Sequence, residues 1–223
     1  MFIGHYSASF VAKRLVPQAP LWLLLIAAQL VDVFWAGFIW SGVERIRLVP
    51  QFTQTNPFDL YYMPYTHSLP AALLWSTAAG LLVYAAGKAR WGGMAHRVAV
   101  AVALVVASHW VLDWLMHKPD LGLWGDQYKV GLGLWDYLWL ALGVELLFFV
   151  GAALYLRANA KIWQAAGGNR LGIFLAVMVL IHFGNLLGPH PPSADALAIA
   201  ALAGYLLFAA VAAWLEKRGN PGV

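Results

Sequence analysis

Apolar residues along this chain neither alternate nor keep to one helical face. They run on, in stretches of about twenty, between short polar connections. Six such stretches cover about Leu21–Ser41, Thr66–Gly87, Met94–His117, Trp135–Leu156, Leu171–Leu187 and Ser193–Leu215. Each is long enough for a helix to cross the hydrocarbon of a bilayer, where a spanning segment must satisfy its own backbone hydrogen bonds. Pro17 and Pro20 separate the first stretch from residues 2–14, which are predicted to fold back from that turn as a half-helix. Pro70 falls in the first turn of the second, where proline is tolerated. The expected fold is all-α. It is a polytopic membrane helix bundle of about six transmembrane helices plus an N-terminal half-helix, a single integral-membrane domain over 1–223. The longer connections, 42–65 and 118–134, are read as loops able to form a lid.

Composition sharpens this picture. The chain is 62% hydrophobic and 11% charged with 12 tryptophans, a balance that a soluble domain rarely shows. The absence of cysteine excludes disulfides, thiolate metal sites and cysteine nucleophiles. A net charge of +4 would suit a nucleic-acid partner, but the basic residues sit beside the apolar runs, so membrane orientation explains them and no nucleic acid is expected. Lys13, Arg14, Lys88, Arg90, Arg97, Arg157, Lys161, Arg170, Lys217 and Arg218 share the side of both termini. Arg45, Arg47, Lys118 and Lys129 lie opposite. That bias predicts cytoplasmic termini.

The candidate chemistry lies in the third stretch. His109, Asp113 and His117 follow one another at i, i+4 and i+8, one face of a helix. An ionisable residue in a span costs roughly 2.5–3.5 kcal/mol, so three on one face point to a bound cation or a wet cavity. His117 either joins the other two or marks the membrane surface. With the termini inside, His67, Asp32, Glu145 and His182 all fall in the same outer leaflet. Asp32 lies roughly 15 Å below the outer end of its span, and His5, on the half-helix, rises to a similar depth. Imidazole and carboxylate are the ligands of zinc and related divalent ions. His67, His109 and Asp113 supply three, with His5 and Asp32 as further ligands or orienting partners. Such an ion brings the pKa of its water towards 7, and Asp32 or Glu145 is placed to carry the proton. His182 reads as a hydrogen-bonded core residue, while His96 and His190 read as exposed surface.

Four pieces of the chain resemble the membrane-bound metal-dependent hydrolases of the LexA-regulated inner-membrane protein type. They are Gly4-His5, Leu30-Val31-Asp32, Thr66-His67-Ser68-Leu69, and Ser108-His109 with Asp113, followed by Pro119-Asp120-Leu121. The order and approximate spacing match up to about residue 121. The resemblance implies His5, Asp32, His67, His109 and Asp113 as metal-site residues and a bacterial inner (cytoplasmic) membrane location. The chain departs where the family carries Pro-Asp-x-Asp-His, because Asp32 is followed by Val33-Phe34-Trp35. A second ligand pair is missing there, and with it the support for a two-metal site. The functional expectation is a divalent-metal, zinc-type hydrolase with its site towards the outer face, in contact with membrane lipids and an amphiphilic small-molecule substrate. A metal-ion or proton transporter would use the same intramembrane residues. A b-type haem held by His67 and His109 would leave Asp113 unexplained.

Overall fold

The structure, a computed structural model, describes residues 1–219; the last four residues of the single-domain reading lie outside them. It is mostly helical, as expected. A 3₁₀ turn at Ile3–His5 leads into α1 (Tyr6–Leu15), then α2 (Leu21–Ala28) and α3 (Leu30–Trp40). Strands β1 (Arg45–Leu48) and β2 (Phe58–Tyr62) precede α4 (Leu69–Trp91) and α5 (Ala95–Met116). Strands β3 (Leu121–Trp124) and β4 (Gln127–Val130) precede α6 (Leu138–Arg157), the short α7 (Ala160–Ala165), α8 (Asn169–Leu187) and α9 (Ala194–Gly219).

Four helical stretches are long and apolar enough to cross a membrane, five if the bent pair α2–α3 is one span. The chain is thus compatible with an integral membrane protein. One of the four, Leu69–Met116, runs for 48 residues and comprises α4 and α5. These two pack on one another, turning at Gly92, whose φ of +49° favours glycine. Their axes approach closely at Gly80, where an added Cβ would sit 3.0 Å from Ala103. Small residues at such crossings allow the close packing that drives helix association where no hydrophobic difference exists between helix and lipid.

The half-helix is the centre of the bundle. Ile3, Tyr6 and Phe10 are fully buried, and α1 packs against α6, α2 and α5. Ser9 Oγ donates to the Leu24 carbonyl at 2.8 Å, fastening α1 to α2.

Two features depart from the expected pattern. The first span is broken at Gln29, and its halves meet at 51°. The loops 42–65 and 118–134 are also not free loops. Each contains an antiparallel hairpin, with pairs such as Leu48↔Phe58 and Gly122↔Lys129. The hairpins lean together: Lys118 Nζ donates to the Phe52 carbonyl at 2.8 Å and Lys129 Nζ to the Tyr61 carbonyl at 2.6 Å.

Candidate metal centre

The His/Asp residues named from the sequence arrive from separate elements. His5 precedes α1, Asp32 lies in the first turn of α3, His67 stands just before α4, and His109 and Asp113 lie one turn apart on α5. The local sequence around His67 explains its place. Ser68 is the N-cap of α4, accepting from the Ala71 amide at 3.3 Å, and Pro70 fits the first turn. The helix therefore starts after His67, whose ring is free to turn inwards.

Asp113 is the hub. Its Oδ2 lies 3.0 Å from His109 Nε2 and 3.7 Å from His67 Nε2. Asp32 Oδ1 completes the ring, 3.3 Å from His67 Nε2 and 3.5 Å from His109 Nε2. A tetrahedral ion about 2.0–2.1 Å from its ligands holds neighbouring ligand atoms roughly 3.3 Å apart, so these separations suit one. The sets Asp32–His67–His109 and His5–His109–Asp113 each bring three ligand atoms within 4.8 Å of one another. The other oxygen of Asp113 lies 3.1 Å from His5 Nε2, 3.3 Å from His117 Nε2 and 2.7 Å from the Met1 nitrogen. His5 thus faces Asp113, a shift from the expected meeting with Asp32, and its ring stacks on His109 with centroids 3.7 Å apart.

The donor chemistry fits a divalent cation. His109 Nε2 and both ring nitrogens of His5 are buried without a hydrogen-bond partner among the described residues. His109 Nε2 and His5 Nε2 sit 3.0 and 3.1 Å from Asp113 oxygens but aim no hydrogen at them. Unpaired buried nitrogens are costly, and a cation accepting their lone pairs removes that cost.

The remaining nitrogens are held from behind. His109 Nδ1 pairs with the Ala28 carbonyl at 2.8 Å, which is available because the span breaks at the next residue. His117 Nδ1 pairs with Asp120 Oδ1 at 2.9 Å. Asp32 Oδ2 accepts from the Tyr205 hydroxyl at 3.0 Å, leaving Oδ1 for the centre.

His67 has the longest support. The buried Glu44 accepts from the Tyr65 and Thr66 amides at 2.8 and 2.9 Å and from the Thr66 hydroxyl at 2.6 Å. The Thr66 hydrogen is thereby committed, so its oxygen accepts from His67 Nδ1 at 2.7 Å and Nε2 is left bare towards the site. Burial pushes the Glu44 carboxyl above its usual range, against the pull of His67 and of these three donors. Partners of this kind typically set metal affinity by 10–100-fold. Glu44→Ala and Thr66→Val are each expected to weaken metal binding roughly tenfold or more, with Glu44→Gln intermediate. Competition with a chelator at unchanged helix content measures it; wild-type affinity in Glu44→Ala would disprove the relay.

Glu145 stands apart from the ligand sets. Its Oε2 accepts from the Phe2 and Gly4 amides at 2.9 and 3.2 Å, which fixes the start of the half-helix. It also lines a cavity of about 510 Å³ that reaches Asp32, His67, Asp113 and His117. His182 lines the same cavity. Contrary to the expected hydrogen-bonded core residue, its Nε2 is buried with no partner among the described residues. His96 and His190 are exposed, as expected.

Sequence reasoning missed Glu44, Tyr205 and Asp120 as supports. A Thr directly before His67 and an Asp three residues after His117 were the local signals, and nothing in the sequence joins Thr66 to Glu44. Compared with protein-family models, curated proteins and solved structures, the chain matches none of them.

Proposed function

We propose that this protein is a membrane-embedded, zinc-type metal-dependent hydrolase acting on an amphiphilic substrate. The observation that carries the reading is the largely buried ring of Asp32, His67, His109 and Asp113, with neighbouring histidine and aspartate atoms 3.0–3.7 Å apart, opening on an apolar-walled cavity. The resemblance of the Thr66-His67-Ser68-Leu69 and Ser108-His109…Asp113 pieces to the membrane-bound hydrolases adds to it.

Those four residues would hold the ion, with His5 and His117 beside Asp113. When bound, the ion supplies Lewis acidity and makes water a usable nucleophile near neutral pH. Tyr205 keeps Asp32 turned inwards, and Glu44 with Thr66 keeps His67 in the tautomer whose Nε2 is a ligand. Glu145 is the carboxylate on the cavity wall outside the ligand sets, placed to take and return the proton.

In a membrane the bent pair counts as one crossing and α4 and α5 as two, because they pack on one another. With α6, α8 and α9 this makes six crossings. The charge bias then puts both termini in the cytoplasm of a bacterial inner membrane and the hairpins and metal centre towards the outer face. Reporter fusions after residue 219 and within 188–192 are expected on opposite sides; the same side for both would end that orientation.

The decisive experiment is hydrolysis by detergent-solubilised protein of lipid-linked ester, amide and phosphoester pools. Activity is expected to vanish on chelation and return with zinc. Zinc flux into proteoliposomes without hydrolysis would replace this reading by a transport pathway lined by the same residues.

A further inference from the structure

The cavity beside the metal centre has two chemically different parts. One is polar: Asp32 and His67 face it, together with Trp35 and His182. Trp35 Nε1 and His182 Nε2 are both buried and without partners among the described residues. Indole nitrogen only donates, so Trp35 in particular calls for an acceptor atom in the cavity. The other part is walled by Ile181, Leu186, Leu197, Ala201, Gly204 and Leu207, from α8 and α9. α8 packs thinly against α9 there, and a Cβ added at Gly204 would meet nothing within 4 Å. At about 510 Å³ the space is that of one small ligand and would not enclose a whole two-chain lipid.

We propose that this cavity holds a single hydrocarbon chain of a membrane amphiphile between α8 and α9, with a polar head whose oxygens supply acceptors for the unpaired Trp35 Nε1 and His182 Nε2 next to the His/Asp ring. This names the substrate class of the site proposed above and rests on that reading for what then happens to the ligand. The arrangement sorts the ligand by its chemistry. The apolar walls take the chain, the two unpaired nitrogens take acceptor atoms of the head, and the head is thereby held beside the His/Asp ring. The rest of the amphiphile stays in the bilayer or at the hairpin end, where Thr55 and Asn56 also line the cavity.

The test uses the full chain in nanodiscs and a lysophosphatidylglycerol bearing a diazirine near the end of its acyl chain. After illumination, peptide mapping is expected to place the label on α8 and α9, and unlabelled lysolipid should compete it away. Gly204→Trp fills the tail region and should abolish that labelling. Ala201→Phe does the same from one turn away, without disturbing the neighbour of Tyr205. Trp35→Phe keeps the ring but deletes the donor and should weaken competition roughly three- to tenfold, the loss of one hydrogen bond. Metal content is measured on the same samples and should be unchanged in all three variants. Saturable labelling of α8 and α9 in a protein that binds no metal would sink the hydrolase reading and leave this one standing. Label spread evenly over all lipid-facing helices, indifferent to Gly204→Trp and Ala201→Phe, would overturn it.

Discussion

Asp113→Asn is expected to cost at least about 100-fold in metal affinity, the upper range for the loss of an orienting partner and a lower bound for a ligand. The amide keeps the size and shape of the carboxylate, so packing around α5 is preserved. What it loses is the negative charge, at the point where four histidines converge. His109 and His67 approach one oxygen of Asp113, and His5 and His117 the other. Its two oxygens thus join the two pairs of histidines. Asp32→Asn should fall in the same direction but less far, since Asp32 meets two of the four histidines, His67 and His109. Glu145→Gln provides the contrast. It should keep its metal, because Glu145 belongs to neither ligand set, and lose turnover. Elemental analysis and chelator competition on monodisperse protein separate these outcomes. Full occupancy in Asp113→Asn would remove the basis of the proposed chemistry.

Lys13→Ala should have the largest effect on stability, about 3–5 kcal/mol, the usual consequence of removing one partner from a buried ion pair. In the charge pattern Lys13 counts as a membrane-surface cation. In the structure it is buried, 5% exposed. Its Nζ donates to the Pro17 and Ala19 carbonyls at 3.0 and 2.9 Å and to Glu216 Oε1 at 2.7 Å. Glu216 Oε2 in turn accepts from the Leu21 amide at 2.8 Å. One ion pair thus ties the α1–α2 turn to the far end of α9. Alanine strands two carbonyls and a half-paired carboxylate. Replacing both partners with Met and Leu should be milder, because no unpaired charge remains. Unfolding of the purified variants in mixed micelles measures the difference. Equal stability of Lys13→Ala and wild type would mean that the pair contributes nothing.

The parts that were legible in the sequence are those governed by local geometry. His109 and Asp113 are one helical turn apart wherever α5 lies, and a length of about twenty apolar residues marks a candidate span. The half-helix was legible because prolines marked its turn. The supports were not legible. Tyr205 meets Asp32 across 173 residues and Glu44 meets Thr66 across 22, and no periodicity joins such pairs. The break in the first span had no breaker in the sequence, since Gln29 is neither proline nor glycine. Tertiary partners hold it: Gln29 Nε2 donates to the Phe2 carbonyl at 3.3 Å and His109 takes the Ala28 carbonyl. The hairpins escaped notice for the same reason, since two lysines of the second loop, Lys118 and Lys129, brace the first.

The proposed ligands His5, Asp32, His67, His109 and Asp113 all belong to the stretch ending with α5, whereas Ile181, Leu186, Ala201, Gly204 and Leu207 on the cavity wall come from α8 and α9. On the proposed reading, reactivity and selectivity are written in different parts of the chain, joined at the site by Tyr205 reaching back to Asp32. A lineage can rewrite the second text without rereading the first. Exchanging the Asn169–Gly219 segment between relatives, with Tyr205 kept, would then transplant a taste for chain length onto an unaltered chemical engine.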